Sequence, residues 1–290
     1  NMAKTPARVT EFLDKLWAPA VEMAKLELLE LQEIADKEGD GIKIQPWDWW
    51  FYSEKIRKEK YDLDENELRP YFKLENVRKG AFLLAKELFG IEFKKLEGIQ
   101  VYDPEVEVFE VTEENGNHIG VFYTDFFPRS GKTGGAWMSS FRDQYKFRGE
   151  NIPPVIVNVC NFTRPTDKQP SLLSLEEVET LFHEFGHALH GLLSNTIYPR
   201  LSGTSVSRDF VELPSQIMEN WVFEPEFLKL YAFHYETGEV IPEELILKIK
   251  NSSKFNQGFA TLEYLAASYL DMDWHTLTDT DRKSTRLNSS

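Results

Sequence analysis

The chain has 290 residues, 41% of them hydrophobic, with 21 Phe, 11 Tyr and 7 Trp, which is enough apolar mass for one large or two ordinary cores and argues against global disorder. Lys and Arg total 33 against 48 Asp and Glu, a formal charge of −15; such a field repels phosphate backbones on average, so no nucleic-acid partner is expected. No apolar run approaches the roughly 18 residues of a membrane span, so no membrane partner is expected either.

The first ninety residues carry helical spacing. Phe12, Leu13, Leu16, Trp17 and Val21 recur with that period, and Leu28, Leu29 and Ile34 extend it. A second helix is predicted from Pro46 through Trp49, Trp50 and Ile56, with proline in the first turn. The cluster of Trp47, Trp49 and Trp50 reads as core or as a seam between helices. A third helix is predicted over 76–89, with Ala81, Leu84, Ala85 and Leu88 on one face and Gly90 as its stop.

The pattern then changes to a small β region over about 99–160. Val106, Val108 and Val111 alternate with polar residues, Asn115-Gly116 is a tight-turn signal, and Ile119 to Phe126 reads as the returning strand. Residues 129–149, rich in Gly, Ser and Arg, read as loop, and the apolar run 154–160 reads as a buried strand. Cys160 ends that run as the only cysteine. No internal disulfide is possible, and the thiol reads as buried and structural. His118, at a strand start, and His234 and His275, among aromatics on helical stretches, read as structural or surface residues. From about 174 the chain turns helical again. Ser174 followed by Glu177 matches a capping box that opens a helix running to about 194, and Pro214, Pro225 and Pro242 fit early helical turns or breaks after it.

That helix carries His183-Glu184-Phe185-Gly186-His187. Residues four apart share a helical face, so two imidazoles can converge on one zinc ion while Glu184 reaches a water on the metal. Zinc lowers the pKa of that water, and the carboxylate can carry its proton to a leaving amine. Gly186 weakens the helix by roughly 1 kcal/mol relative to Ala, which a purely structural helix has little reason to accept. A catalytic zinc needs a third protein ligand. His190 lies roughly 10 Å along the axis from His183 at 1.5 Å per residue, too far for one ion to collect all three imidazoles. The metzincin pattern requires Gly at 190 and His at 193, whereas this chain has His190 and Leu193. A carboxylate on a later helix is therefore expected, with Asp209, Glu212 and Glu219 as candidates. Asp209 suits a helix cap, and Glu219, two turns beyond Glu212, suits a support behind a ligand.

The segments Leu181 to His190 (LFHEFGHALH), Ser202 to Thr204 (SGT), Asp209 to Trp221 (DFVELPSQIMENW) and Gly134 to Phe141 (GGAWMSSF) resemble the thimet oligopeptidase family of zinc peptidases. Phe255 to Trp274 and the GGAWM block resemble its dipeptidyl carboxypeptidase (peptidyl-dipeptidase) branch most closely. The resemblance implies a mainly helical, zincin-type catalytic core with a small β region, part of a larger fold of two halves around a deep channel. It selects Glu212 as the third ligand of one Zn2+ per chain, leaves Glu219 and Asp209 as supports, and points to Gly135 and Ala136 as substrate contacts near the Val106–Phe126 hairpin, whose strand edge is expected to be exposed. Short peptides are the implied substrates, cut by a monomer that removes C-terminal dipeptides or, alternatively, cleaves internally.

The resemblance covers residues 1–280 as a partial catalytic domain and implies truncation at both ends. Residues 281–290 (DRKSTRLNSS) read as a non-native tail that resembles a translated sequencing adapter. The family's oxyanion-holding loop, Gly-rich with tyrosines, has no counterpart here. Losing such donors typically costs 10²–10³ in rate for each, so a weak catalyst, or a fragment that binds zinc and peptide, is the alternative to an active enzyme. The lone cysteine fits a cytoplasmic location, with the periplasm as the alternative.

Overall fold

The computed structural model describes residues 2–39, 41–61 and 64–277; the tail at 281–290 lies outside them. The helices in chain order are α1 (Pro6–Glu38), α2 (Trp49–Tyr61), α3 (Glu65–Leu68), α4 (Leu74–Phe89), α5 (Leu175–Leu192), α6 (Leu213–Val222), α7 (Pro225–Tyr231), α8 (Glu243–Ser252) and α9 (Gln257–His275). The strands are β1 (Ile91–Lys95), β2 (Glu107–Glu113), β3 (His118–Asp125), β4 (Trp137–Arg142), β5 (Tyr145–Phe147), β6 (Glu150–Ile152) and β7 (Val155–Val159). The chain is thus mainly helical with a small mixed sheet, as the sequence implies. The described residues fall into two compact units, one from residues 2–39 and 41–61 with 251–277, the other from residues 64–250. Among the described residues, no helix is long and apolar enough to cross a membrane.

In the first unit, α1 begins where the Thr5 hydroxyl accepts the Arg8 N–H and Pro6 supplies the first helical residue. Its buried stripe is Leu13, Ala20, Ala24, Leu31, Ile34 and Ala35. The helix was legible, but its face was not: Phe12, Leu16, Trp17, Leu28 and Leu29 are exposed. The reason is close approach by α9. A Cβ on Gly258 would stand 2.6 Å from the Ala24 nitrogen, so small residues line the seam, and Leu13, Ala20 and Leu265 cluster with Leu262, Tyr269 and Met272. The Glu27 carboxylate accepts the N–H groups of Gly258 and Phe259 at 2.8 Å each, satisfying two orphan donors of the α9 start. Trp49 stacks on Phe259 at 4.2 Å and donates to Asn256. Of the tryptophan cluster only Trp49 is buried; Trp47 and Trp50 face solvent.

In the second unit, the sheet order is β1-β2-β3-β7-β4, with β3 and β7 parallel and the other neighbours antiparallel. The β2–β3 hairpin turns at Asn115-Gly116 as the sequence predicts, with Gly116 at φ 86°. Three features depart from the sequence reading. β1 follows directly on Gly90, ahead of the expected β region. The predicted loop 129–149 contains β4 and β5, and β5 pairs with β6 as a separate ribbon. β4 is an edge strand with a mostly exposed pattern, so it needs no apolar alternation and resembles loop in composition. His234 lies outside any helix, in a turn where its Nδ1 accepts the N–H groups of Glu236 and Thr237.

One face of the sheet carries α4 and α5. Phe82 on α4, Phe93 on β1, Phe122 on β3 and Phe185 on α5 pack with ring centroids 4.2–6.3 Å apart, and such offset and edge-on contacts stabilise beyond the area they bury. Leu88, placed by its spacing on the buried face of α4, is instead exposed. This aromatic layer holds α5 rigidly against the sheet and so aims its opposite face.

Candidate metal centre and active site

α5 starts as its capping box dictates. The Ser174 hydroxyl accepts the Glu177 N–H at 3.1 Å and the Glu177 carboxylate accepts the Ser174 N–H at 2.8 Å. With Phe182 and Phe185 buried, His183 and His187 share a face and their rings lie 5.0 Å apart. α6 brings up Glu212 at its N-cap position, with Pro214 in the first turn. The Glu212 Oε2 atom stands 3.3 Å from His183 Nε2 and 3.1 Å from His187 Nε2. Among the described residues, His183, His187 and Glu212 form the group whose ligand atoms all lie within 4.8 Å of one another.

The chemistry of this group fits a metal. The Nδ1 of His183 lies 2.5 Å from Glu219 Oε1. A carboxylate only accepts, so Nδ1–H donates to it and Nε2 is the ring atom turned toward His187 and Glu212. Burial lowers the pKa of His187, and the Glu212 charge only partly offsets this. Two ring nitrogens and one carboxylate oxygen thus converge on one point. Two imidazoles and a carboxylate with an open position are a zinc donor set. Glu184, beside the first histidine, is buried with Oε2 lacking a partner. Desolvation raises its pKa to about 7, against the lowering effect of His183. A carboxyl group so placed exchanges a proton near neutrality.

The other expected residues fall as follows. Asp209 lies in an exposed turn outside the three-residue group, and it does not hold the cap position it was expected to take. The turn runs on to residue 212, so α6 starts later and Glu212 is the N-cap. His190 packs beside Phe210. The expected exposed edge of the Val106–Phe126 hairpin is not there, because β2 is covered by β1 and β3 by β7; β4 provides a free edge instead. Gly135 and Ala136 lead directly into β4. They line a cavity of about 410 Å³ together with Arg69, Asn161, Glu176 and Thr180, and Thr180 lies one turn before His183 on α5. Gly135 adopts φ 90°, open to glycine, and its carbonyl accepts the Asn161 side-chain amide at 2.7 Å.

Two groups escaped the sequence. Ser215, fully buried, has its hydroxyl 2.9 Å from Glu212 Oε2. Lys132, whose side chain is buried, donates to Asp125 and to the carbonyls of Phe127 and Cys160, pinning the loop that leads to Gly135. The only local hint was a serine three residues after Glu212; nothing near Lys132 in the chain marks it as buried.

Residues 1–289 match peptidase family M3. Dipeptidyl carboxypeptidase of Escherichia coli (strain K12) is 46% identical over 282 residues, 97% of this chain and 41% of that protein. The protein of the same name from Salmonella typhimurium is 46% identical over 278 residues, 96% of this chain and 41% of its own length. Oligopeptidase A of Escherichia coli is 40% identical over 277 residues, 95% of this chain and again 41% of the relative. The chain therefore spans about 41% of the length of these relatives. A match running from the first residue to the penultimate one, together with relatives at this level of identity, establishes that the chain belongs to peptidase family M3.

Proposed function

We propose that this chain carries the zinc centre of a metallopeptidase that hydrolyses peptide bonds in short peptides, releasing dipeptides from their C-termini. The observation that carries the reading is the convergence of His183, His187 and Glu212 beside the buried carboxyl of Glu184. His183 and His187 would hold the ion through Nε2, and Glu212 through a carboxylate oxygen. Bound there, zinc supplies the Lewis acidity that makes water and a scissile carbonyl reactive at neutral pH.

The chain's own residues do the rest. Glu184 takes a proton from the attacking water as the new bond forms between the water oxygen and the carbonyl carbon. It returns that proton to the amide nitrogen as the carbon–nitrogen bond breaks, giving a carboxylic acid and an amine, which separate as carboxylate and ammonium once the acid's proton passes to the amine. Burial, which disfavours the charged carboxylate, favours its holding the proton between the two steps. Glu219 orients the His183 ring and makes it a better donor. Gly135 and Ala136, at the start of the free-edge strand, receive the extended backbone of the peptide.

Release of dipeptides is favoured by the 46% identity to two proteins named dipeptidyl carboxypeptidase. Internal cleavage is the second reading, favoured by the 40% identity to oligopeptidase A. Peptides blocked at the C-terminus separate them, because an enzyme that only removes C-terminal dipeptides stalls on such substrates. The primary test is metal content of the purified chain beside His187→Ala and Glu212→Ala. About one zinc per wild-type chain, lost or much weakened in both variants, is the expected result. A folded wild type that takes up no zinc would contradict the reading.

A further inference from the structure

The helices that carry the three candidate ligands, α5 and α6, cross at Gly186. A Cβ at this position would stand 2.5 Å from the Pro214 carbonyl oxygen, 2.6 Å from the Ser215 Cα and 3.0 Å from the Pro214 carbonyl carbon. These are backbone atoms of the first turn of α6, so no rotamer change clears the space. Glu212 is the N-cap of that same turn. Relieving a 2.5 Å contact to the ordinary 3.4 Å limit moves the turn on the order of 1 Å, whereas a metal site tolerates ligand distances only within about 0.2 Å.

Ser215 adds a second restraint. Its side chain is 0% exposed, and its hydroxyl lies 2.9 Å from both the Glu212 carbonyl oxygen and Glu212 Oε2. The Glu212 side chain is itself 49% exposed, so packing alone does not fix it. The carboxylate oxygen that the Ser215 hydroxyl touches is the one facing His183 and His187.

We propose that Gly186 and Ser215 are positioning residues of the metal centre. The absent side chain of Gly186 sets the separation of α5 and α6, and the Ser215 hydroxyl sets the carboxylate of Glu212 toward the two histidines. The proposal rests on the reading of His183, His187 and Glu212 as metal ligands. It also gives a use to a glycine placed where alanine would make a better helix.

The test is zinc affinity by chelator competition for wild type, Gly186→Ala, Ser215→Ala and Gly191→Ala, with far-UV circular dichroism and the Tm of each metal-free protein. Gly191→Ala is the packing control. It adds the same methyl to the same buried helix, but its Cβ meets the side-chain ends of Ile156 and Met138, at 2.7 and 3.3 Å, which can move. Ser215→Ala is expected to weaken zinc binding roughly 10–100-fold, the usual effect of removing a group that orients a ligand, and Gly186→Ala by at least as much. Gly191→Ala is expected to stay within about twofold of wild type. If Gly186→Ala does not fold, Ser215→Ala decides the matter. Wild-type affinity in the folded Gly186 and Ser215 variants, or an equal loss in Gly191→Ala, overturns the proposal. A wild type without zinc removes the ligand reading on which it stands.

Discussion

Lys132→Met should cost far more than an ordinary loop substitution. The Lys132 side chain is 4% exposed, and its ammonium donates to Asp125 Oδ1 at 3.0 Å, to the carbonyls of Asp125 at 3.0 Å and Phe127 at 2.8 Å, and to that of Cys160. Asp125, 5% exposed, also accepts two bonds from Arg129 at 2.7 and 2.9 Å and one from the Tyr102 hydroxyl at 2.9 Å. Methionine keeps the unbranched stem as far as Cε and removes the ammonium. Asp125 retains Arg129, so its carboxylate is not orphaned, but the Phe127 and Cys160 carbonyls lose a charged donor. Charge-assisted hydrogen bonds are worth about 1.5–3 kcal/mol each and broken buried ion pairs cost about 3–5 kcal/mol, so a loss of about 3–5 kcal/mol is expected. Urea unfolding followed by circular dichroism measures it, and a cycle with Asp125→Asn should show a coupling above about 1 kcal/mol. The sign with pH also follows. Burial pushes Asp125 up, but the hydrogen bonds from Arg129, Lys132 and Tyr102 outweigh it and hold the group below its ordinary value. The resulting stability is present above the unfolded carboxyl pKa of about 4 and lost as pH falls through the lower folded value. Lys132→Met should shift that acid loss upward. A cost below about 1 kcal/mol, or zero coupling, would refute the idea that this latch holds the loop before Gly135.

Three further outcomes are expected. Glu184→Gln should keep its zinc and lose hydrolysis by on the order of 10²–10⁴-fold in a chromatographic peptide assay; retained activity would remove Glu184 as the proton carrier. Glu219→Gln should bind zinc roughly 10–100-fold more weakly, because the His183 ring loses a charged acceptor; unchanged affinity would make the contact incidental. Saturating zinc should raise the Tm, by about 2.7 kcal/mol of stabilisation at a hundredfold excess over Kd; a chelator should reverse the shift, and His187→Ala should show none.

Local rules explain which parts of this fold could be read in advance. The start of α5 was legible because a capping box involves residues three apart, and the pairing of His183 with His187 because a helix repeats every 3.6 residues. The hairpin around Asn115-Gly116 was legible for the same reason. The buried face of α1 was not, since Ala20, Ala24 and Ala35 are inside while Phe12 and Leu29 are outside. Hydrophobicity names the larger residues, but the closeness of α9 selects the smaller ones. β4 was missed because an edge strand with exposed side chains lacks an apolar period. The hairpin itself offers no free edge because β1 pairs with β2 and β7 with β3, and these pairings join segments that its own sequence does not mark.

By itself, then, the sequence determined a mainly helical chain, the helix bearing His183, Glu184 and His187, and a short set of carboxylates from which a third ligand could come. It could not choose among Asp209, Glu212 and Glu219 without a family resemblance, because their distances from the histidines depend on where α6 crosses α5. Tertiary structure alone brought Glu212 between the two imidazoles, set Glu219 behind His183, buried Ser215 against Glu212 and sealed Lys132 beneath the Gly135 loop. Each of these joins groups fixed by side-chain packing between elements, whereas capping and periodicity act within a few residues of a single one.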